Sequence, residues 1–364
     1  MQDERIPLIK LLPNRVRRNY RGGKTMDTLR GVPHPTDGEM PEEWLASTTR
    51  ASNPGLPYVA DEGLSAFLVD GGKRLLADTI DRDPAFYLGD PKAHSLAFLC
   101  KWLDSSMRLH TQVHPTREFA RKYLNSGHGK FEAYYVLAVR GSIKHPTIRL
   151  GFQKQDITRE KWTMIVQSQD MEAMDGCFEP IPVKEGDVVY IPGGVPHAIG
   201  EGIFLLEMLE PSDLVVRCEF NREGIVVPPP ARFMNRGLEF CMGIFDYEAM
   251  SKEEVHKRFF LTPKTQEADG NYRNELLIGE DISPCFIAHR LTFAKSRKLW
   301  EKGEKYAVLA CTKGSGTIET ESVRYSVRIL DSFFIPAGTH QLMVNPGPEG
   351  LELCMLQPIG TDDT

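Results

Sequence analysis

The sequence predicts a mostly-β protein in which two small β-barrels carry a few inserted helices. The 31 glycines and 25 prolines interrupt many short β-branched or aromatic runs, a texture typical of strands joined by tight turns. Helical periodicity is confined to a few stretches. In addition, Gly186–Gly194 (GDVVYIPGG) reappears as Leu330–Gly338 (LDSFFIPAG). Self-similarity at one long offset indicates duplication of a whole unit rather than a solenoid of short repeats.

The predicted elements follow from these patterns in chain order. In the first half the strand candidates are 107–112, 134–139, 147–152, 187–191 and 203–209. In the second half they are 286–293, 306–312, 316–319, 332–335 and 351–357. The predicted helices are 71–79, 90–100, 116–124 with Thr116 as the cap, 159–171, and 251–259 opened by Ser251.

The repeat divides the chain into an N-terminal barrel over 1–240, a helix-containing connection over 241–280 and a C-terminal barrel over 281–364. An acid precedes a Val-Leu-Ala run by four residues in each copy, which pairs Glu132 with Glu304. The second copy carries Gln341 where the first has His197, and no Gln-x-His precedes its acid. His340 is one position early, and a shift of one residue reverses the face of a strand. The C-terminal barrel is therefore predicted to lack a metal site.

Composition limits the class of protein. The chain has 364 residues, 41% of them hydrophobic and 26% charged, with a net charge of −6, which argues against nucleic acid as the main partner. Seven dispersed cysteines without a CxxC motif favour a reducing compartment. The N-terminus lacks the design of a signal peptide, and no apolar run approaches the length of a membrane span. We therefore expect a cytoplasmic protein with neither a nucleic-acid nor a membrane partner.

Four side chains form a candidate metal site: Gln112, His114, Glu132 and His197. An amide oxygen, a carboxylate and two imidazoles suit Zn²⁺ or another divalent first-row ion. Gln112 and His114 are two apart, so on a strand they share one face. His197 follows a Pro-Gly-Gly turn that would hold it at a barrel mouth. Because such a set leaves room for a water or a substrate oxygen, it indicates a catalytic site more than a structural one.

Several motifs together carry a family resemblance. Asp187–Gly194 with the following histidine resembles the second metal motif of the cupin (jelly-roll) barrel. The match then narrows to the type I mannose-6-phosphate isomerase family, in its short bacterial form, on further segments. These are Pro41-Glu-Glu-Trp44-Leu-Ala-Ser47, Lys101-Trp-Leu-Asp104, Gln112-Val-His114-Pro115, Gly129-Lys130-Phe-Glu132, and Glu207, Asp213 and Arg217 at family spacing.

The resemblance implies a function and a set of site residues. It implies one Zn²⁺ per chain on Gln112, His114, Glu132 and His197, and interconversion of mannose 6-phosphate and fructose 6-phosphate through an enediol. It also implies Lys130, Asp213 and Arg217 at the reacting sugar, with Lys101 near the phosphate; His110 is a further candidate substrate-binding residue. The partner would be a small sugar phosphate, and the protein a monomer or a homodimer.

Two segments depart from the family pattern. His110 stands where the family has a serine that contributes to phosphate binding, and Asn19–Gly23 (NYRGG) replaces Ile-Trp-Gly-Gly. His110 could contact a phosphate when protonated, or fill its pocket. The alternatives are an isomerase of another sugar, a sugar-binding or sensing protein, and an Fe²⁺ oxygenase. Asp213 could carry a proton, or orient Arg217 through a salt bridge.

Overall fold

The computed structural model describes residues 5–301 and 305–360. With 37% strand and 16% helix, the predicted mostly-β class is confirmed. Three large antiparallel sheets carry most of the chain, and the helices are short insertions between strands. None of the helices in these residues is long and apolar enough to span a membrane.

The strands are numbered in chain order. Those of the first half are β1 (Ile9–Lys10), β2 (Arg15–Val16), β3 (Glu42–Leu45), β4 (Ala66–Val69), β5 (Gly72–Leu75), β6 (Leu99–Asp104), β7 (Gln112–Val113), β8 (Glu132–Val139), β9 (Thr147–Leu150), β10 (Ile181–Pro182), β11 (Val188–Ile191), β12 (His197–Ile199) and β13 (Ile203–Leu209). Those of the second half are β14 (Val216–Arg217), β15 (Asn221–Arg222), β16 (Ile225–Val226), β17 (Phe260–Leu261), β18 (Lys264–Ala268), β19 (Tyr272–Ile278), β20 (Phe286–Phe293), β21 (Arg297–Glu301), β22 (Ala307–Glu319), β23 (Arg324–Arg328), β24 (Ser332–Ile335) and β25 (Gln341–Pro358).

Five of the eight α-helices in the described residues begin at a residue whose side chain accepts a backbone N–H. They are α1 (Lys24–Leu29), α2 (Leu76–Arg82), α3 (Pro84–Leu88), α4 (Arg117–Tyr123), α5 (Arg159–Ser168), α6 (Met171–Asp175), α7 (Leu238–Cys241) and α8 (Lys252–Phe259), with short 3₁₀ turns at Pro229–Ala231 and Met242–Ile244. Thr116 caps α4 by accepting the Phe119 N–H, as predicted. Ser251 and Glu254 form the capping box that opens α8.

Two of the large sheets face each other in the first half. One has the strand order β17-β11-β8-β13-β6-β3-β2 and the other β10-β9-β12-β7-β14. Leu103 and Val136 from the first sheet and Ile148 and Ile199 from the second share one buried apolar cluster. Burial of this surface is the main force holding the two sheets together. The candidate site lies beside this cluster, on strands of both sheets.

The second half is built on one nine-stranded sheet. Its path is β1-β24-β22-β25-β20-β19-β18, with β21 added on β25 and β23 on β22. A large apolar cluster joins this sheet to the seven-stranded one; in it the rings of Phe131 and Phe286 lie 6.2 Å apart. The N-terminal strand β1 pairs with β24, Ile9 opposite Phe334, so the two ends of the chain share one sheet.

The register of the sheets shows how the two repeats correspond. In the first copy β11 pairs with β8, which pairs with β13; in the second, β24 pairs with β22, which pairs with β25. Ile191 lies opposite Glu132, and the equivalent Ile335 lies opposite Ala307. The predicted pairing of Glu132 with Glu304 is therefore wrong, because Ala307 takes that place in the sheet; Glu304 itself lies outside the described residues. His340 is exposed, and Gln341 begins β25.

Several predicted boundaries were also wrong. Residues 71–79 were predicted as helix, but 72–75 pair with 66–69 as a hairpin whose turn is Asp70-Gly71, both with positive φ. This is a favoured hairpin turn. Residues 90–100 are predicted as a helix, but the segment contains Pro91 and its last two residues are the first two of β6. Of the predicted strand 107–112, only Gln112 is in a strand, and the predicted helix 159–171 breaks at Gln169, where φ is 53°.

The prediction of two closed barrels is not confirmed. Within residues 5–301 and 305–360 each large sheet runs as an open path between two edge strands. Most strands of the first half, together with β14 and β17, separate into two facing sheets, and β18–β25, together with β1, form a single sheet. Strand β1 of the first half pairs with β24 in the sheet of the second half. Strand β17, from the predicted connection, pairs with β11 of the first half. Strand pairing therefore crosses the predicted boundaries near 240 and 280.

Candidate active site

The predicted metal-site residues meet where the two facing sheets adjoin. Ligand atoms of His114, Glu132 and His197 all lie within 4.8 Å of one another. The three side chains are buried, each no more than 2% exposed. His114 Nε2 is 3.0 Å from Glu132 Oε1, and His197 Nε2 is 3.4 Å from Glu132 Oε2. Such convergence is what a first-row divalent ion requires of its ligands.

Backbone turns fix the two imidazoles. His114 ends the short β7 segment just before the cap of α4, and its carbonyl accepts the N–H of Gly194. That glycine belongs to the turn Pro192-Gly193-Gly194 and has φ of 92°, a conformation that favours glycine. His197 opens β12 immediately after the turn. One Pro-Gly-Gly turn therefore positions both histidines.

Both imidazoles direct Nε2 into the site. His114 Nδ1 is 2.8 Å from the Leu214 carbonyl, and His197 Nδ1 is 2.9 Å from the Val195 carbonyl. Each Nδ1 therefore carries the proton and donates it, which leaves each Nε2 lone pair free to bind a cation. Burial, and next the charge of Lys130, lower the pKa of His114 to about 3. The neutral form is the one that ligates metals.

Gln112 approaches the same point from β7, opposite His197 in the strand pairing. Tyr134 donates its phenol to Glu132 Oε2 at 2.6 Å and so fixes the carboxylate from behind. Lys130 Nζ lies 2.5 Å from Glu132 Oε1 and 3.1 Å from His114 Nε2. Burial opposes ionisation of Glu132, but Lys130 and His114 outweigh it and hold its pKa well below the usual range. The donor set thus fits a divalent ion with one anionic ligand.

A cavity lined mainly by polar and charged side chains lies beside the three buried ligand candidates. Six of the residues predicted for the site line it: Lys101, His110, Gln112, Lys130, Asp213 and Arg217. Together with the adjoining cluster of His114, Glu132 and His197, the structure brings all nine predicted residues into one region.

The charged residues of the cavity are mostly paired with one another. Lys101 Nζ is 3.3 Å from Glu42 Oε2 and 3.0 Å from Glu207 Oε2; the second contact lacks hydrogen-bond geometry, so Glu207 Oε2 has no hydrogen bond among the described residues. Arg18 bonds both Glu42 and Asp213. Burial would raise the pKa of Glu42, but Arg18 and Lys101 outweigh it and lower that pKa.

Arg217 stands apart from this network. Its Nη1 donates to the Ala231 carbonyl at 2.9 Å, and in the part of the chain that the structure describes no carboxylate lies within the 4.0 Å ion-pair distance. Burial lowers its pKa to about 10, with Asp213 opposing and Arg18 adding to the effect, so the guanidinium is charged at neutral pH. The salt bridge between Arg217 and Asp213 that the spacing allowed is not formed, because Arg18 takes that partner.

His110 lines the cavity as a neutral group. Its Nε2 is 3.2 Å from the Ile225 carbonyl on the β15–β16 hairpin, and the side chain is buried. Burial lowers its pKa to about 4, and nearby Arg217 lowers it further while the bond to Ile225 opposes this. At neutral pH the imidazole therefore contributes a hydrogen bond and no charge. The expectation of a protonated His110 does not fit this environment.

Sequence reasoning missed four residues of the site, Arg18, Tyr20, Glu42 and Tyr134, and it assigned no role to Glu207. Tyr134 could have been found, since it lies two residues after Glu132 on the same strand face. Glu42 accepts from Tyr20 at 2.6 Å and from the Trp44 indole at 2.8 Å. No local pattern links Arg18 to these groups.

Curated relatives show the family of the chain, although no known family model matches it. The "Putative mannose-6-phosphate isomerase YvyI" of Bacillus subtilis is 30% identical over 251 residues, 68% of this chain and 72% of that protein. The "Probable mannose-6-phosphate isomerase GmuF" of the same organism is 26% identical over 266 residues, 73% and 76% of the two chains. The mannose-6-phosphate isomerase of Streptococcus mutans is 26% identical over 249 residues, 68% and 71% of the two chains.

Solved structures share the fold. The mannose 6-phosphate isomerase of Bacillus subtilis superposes with a TM-score of 0.74 at 18% identity, covering 97% of this chain and 100% of that chain. A zinc-bound mannose 6-phosphate isomerase superposes with a TM-score of 0.68 at 16% identity, with the same coverage. At these identities the superpositions establish the fold alone. The relative that is 30% identical over most of both sequences decides the family: the chain belongs to the mannose-6-phosphate isomerases.

Proposed function

We propose that the chain interconverts mannose 6-phosphate and fructose 6-phosphate with one Zn²⁺ held by Gln112, His114, Glu132 and His197. The observation that carries the proposal is the convergence of His114, Glu132 and His197 beside a cavity that also presents Lys130 and an unpaired Arg217. Another divalent ion would fit the same nitrogen and oxygen donors. The zinc-bound relative of the same fold supports zinc as the first choice.

The reaction moves a proton between C1 and C2 of the sugar through an enediol. A bound divalent ion supplies a Lewis acid at the C1 and C2 oxygens, where negative charge develops. Lys130 lies at the boundary between the ligand cluster and the cavity, with Nζ 3.1 Å from His114 Nε2. It is the amine best placed to carry a proton at the reacting carbons, and such positioned catalysis typically contributes about 10²–10⁴-fold.

The phosphate is assigned to Arg217. Lys101 and Arg18 already face carboxylates, so their charge is neutralised within the cavity. Arg217 brings a half-buried charge that has no carboxylate of the described residues within 4.0 Å, and its planar fork suits a phosphate. His110 would contact the substrate as a neutral hydrogen-bonding group.

The test is a coupled assay of zinc-loaded and chelated protein on mannose 6-phosphate, with mannose and fructose alongside. We expect metal-dependent turnover of the phosphate ester. The variant R217M should raise KM for mannose 6-phosphate by about 100-fold or more, the loss expected for a charge-assisted phosphate contact. The exposed Arg121 provides the matched control R121M. Zinc-bound protein inactive on the ester would overturn the proposal.

One observation favours a second candidate, an isomerase of a sugar without a phosphate. His110 is neutral and bonded to Ile225, so it cannot offer charge to a phosphate. If it lies where the distal end of the sugar binds, a hydroxyl would suit it better than a phosphate. Turnover of free mannose or fructose together with inactivity on the ester would select this candidate in the same assay.

We propose that 1–240 and 281–364 are two cupin-like units joined by 241–280. The equivalent pairing of β11-β8-β13 and β24-β22-β25 supports this division. Seven buried free cysteines support a reducing compartment such as the cytoplasm. A monomer or homodimer acting on a small sugar phosphate fits this description, and gel filtration with light scattering would decide between the two states.

A further inference from the structure

A buried ion pair crosses the wall of the cavity. Arg18 Nη1 and Nη2 donate to Asp213 Oδ2 and Oδ1 at 3.0 and 3.1 Å, a two-pronged contact. The side chains are 4% and 10% exposed. Paired charged hydrogen bonds of this kind fix orientation as well as distance. Asp213 is therefore held in one rotamer by a residue 195 positions away in the chain.

The other side of Arg18 is anchored in the protein interior. Its Nε donates to Glu42 Oε2 at 2.8 Å, and its guanidinium lies 4.9 Å from the ring centre of Trp44. Both partners belong to β3, a strand of the seven-stranded sheet. The Arg18 side chain therefore holds Asp213 at a fixed position relative to the seven-stranded sheet.

Asp213 in turn holds a loop. Its Oδ2 accepts the backbone N–H of Ser52 at 2.8 Å, and Arg18 Nη1 is 3.4 Å from Asn53 Oδ1. The segment 50–57 has no regular secondary structure. A Cβ on Gly55 would come within 2.6 Å of Pro228, so the segment is also in close contact with the chain that follows β16.

These contacts take up three of the roughly four acceptor sites of the Asp213 carboxylate. Two N–H groups of Arg18 and the N–H of Ser52 all point to it, one to Oδ1 and two to Oδ2. Burial alone would raise its pKa, but Arg18 and next Lys130 outweigh it and lower that pKa. A general base needs a free lone pair within reach of the carbon-bound proton. Asp213 instead has donors around both oxygens.

Ser52 and Pro54 of this segment line a second cavity, which shares Asp213 and Arg217 with the cavity beside the ligand cluster. We propose that Arg18 is a positioning residue that clamps Asp213 and, through the Ser52 N–H, fixes loop 50–57 as the wall of the sugar site on the side of Arg217. Asp213 is then the acceptor at the centre of this clamp and does not carry the proton. Loss of the clamp should loosen the wall, weaken sugar binding and leave the chemical step nearly intact. The kinetic side of this inference rests on the proposed isomerase activity, whereas the structural side does not.

Amide hydrogen exchange tests the clamp without reference to activity. In the wild-type protein the Ser52 N–H should be protected; in R18M and D213A we expect its exchange to be about 10-fold faster or more, because its acceptor is displaced or lost. R18K retains a donor and should fall between. R50A is the matched control, since Arg50 lies on the same loop, is 60% exposed and pairs only with Asp61 among the described residues. Unchanged protection of Ser52 in folded D213A would overturn the proposal.

Kinetics on zinc-loaded protein separate positioning from proton transfer. For D213N we expect KM for mannose 6-phosphate to rise about 10-fold while kcat changes less than about 3-fold, the signature of lost binding that is shared by ground and transition states. A fall in kcat of about 10²–10⁴-fold at unchanged KM would instead make Asp213 the proton carrier and overturn the proposal. If R18M does not fold, D213A and R18K carry the exchange measurement, and D213N and R18K carry the kinetics. A wild-type protein inactive on the sugar phosphate overturns the proposed function only, since the exchange rates still decide the clamp.

Discussion

Gln112 lies directly opposite His197 in an antiparallel pair, with its amide Nε2 3.3 Å from the imidazole Nε2. Turning the amide by half a rotation places Oε1 at the same point. The oxygen then faces the cluster of His114, Glu132 and His197 as a fourth donor. The pairing of β7 with β12 therefore fixes the positions of two of the four proposed metal ligands.

Removing an imidazole should abolish tight zinc binding. In H197A we expect zinc affinity to fall by more than about 100-fold, because changes behind the ligands alone typically cost about 10–100-fold. Competition with a chromophoric chelator measures it, and metal content per chain after desalting gives the stoichiometry. The exposed His256 supplies the control H256A. Equal zinc content in the two variants would exclude His197 as a ligand.

The Tyr134 phenol should tune the site from behind Glu132. Y134F removes one hydrogen bond of 2.6 Å to Glu132 Oε2 and nothing else at the metal. We expect a loss of zinc affinity of about 10–100-fold with little change in fold. The control is Y135F, since Tyr135 contacts Arg290 and Glu352 on the other face of the strand. Indistinguishable zinc affinities for the two variants would contradict the assignment.

Glu207 should make the protein less stable as pH rises. Burial raises the pKa of this carboxyl to about 8 from its ordinary 4.5, although Lys101 opposes the shift. Between those values the folded protein holds a proton that the unfolded chain has released. Stability contributed by Glu207 is thus complete below pH 4.5 and is lost progressively up to pH 8, at a slope of at most about 1.4 kcal/mol per pH unit.

Urea unfolding at several pH values checks this dependence. E207Q is uncharged throughout and should flatten the slope, so that its stability relative to wild type improves as pH rises. E201Q is the control, because Glu201 is exposed. Parallel stability curves for wild type and E207Q across this range would show that Glu207 is ionised in the folded state.

Adding one methyl group to the Pro-Gly-Gly turn should disturb both stability and metal binding. A Cβ on Gly193 would lie 2.7 Å from the Pro115 carbonyl oxygen, next to His114. We expect G193A to cost about 1–3 kcal/mol by overpacking and to weaken zinc binding by displacing the imidazole. Gly127 has free space around it, so G127A is the control. Thermal unfolding with and without zinc separates the two effects.

The sequence was informative where chemistry follows the period of a strand. Gln112 and His114 are two apart, Lys130 and Glu132 are two apart, and in each pair the side chains converge as that spacing predicts. The repeat identified equivalent strands as well. It misaligned Glu132 with a residue three positions before its true counterpart, Ala307, because the four-residue spacing was counted along the chain and the sheet register was not visible.

The environment of the site could not be predicted in the same way. Arg18 and Asp213 are separated by most of the first half of the chain, and no periodicity links them. Spacing suggested Arg217 as the partner of Asp213, whereas tertiary packing delivers Arg18. The hairpin at Asp70-Gly71 was not predicted for a different reason. Its Asp-Gly turn signal is present in the sequence, but the segment that follows was interpreted as a helix.

The pairing of Ile9 with Phe334 has a consequence for how the molecule is made. During synthesis β1 leaves the ribosome long before its neighbour β24 exists, so the nine-stranded sheet cannot be completed until β24 and β25 have emerged. Contacts between such distant positions slow folding, because a long loop must close before they form. Until then the edge of β1 is open to other chains, and an assisting chaperone would have most to protect at the N-terminus.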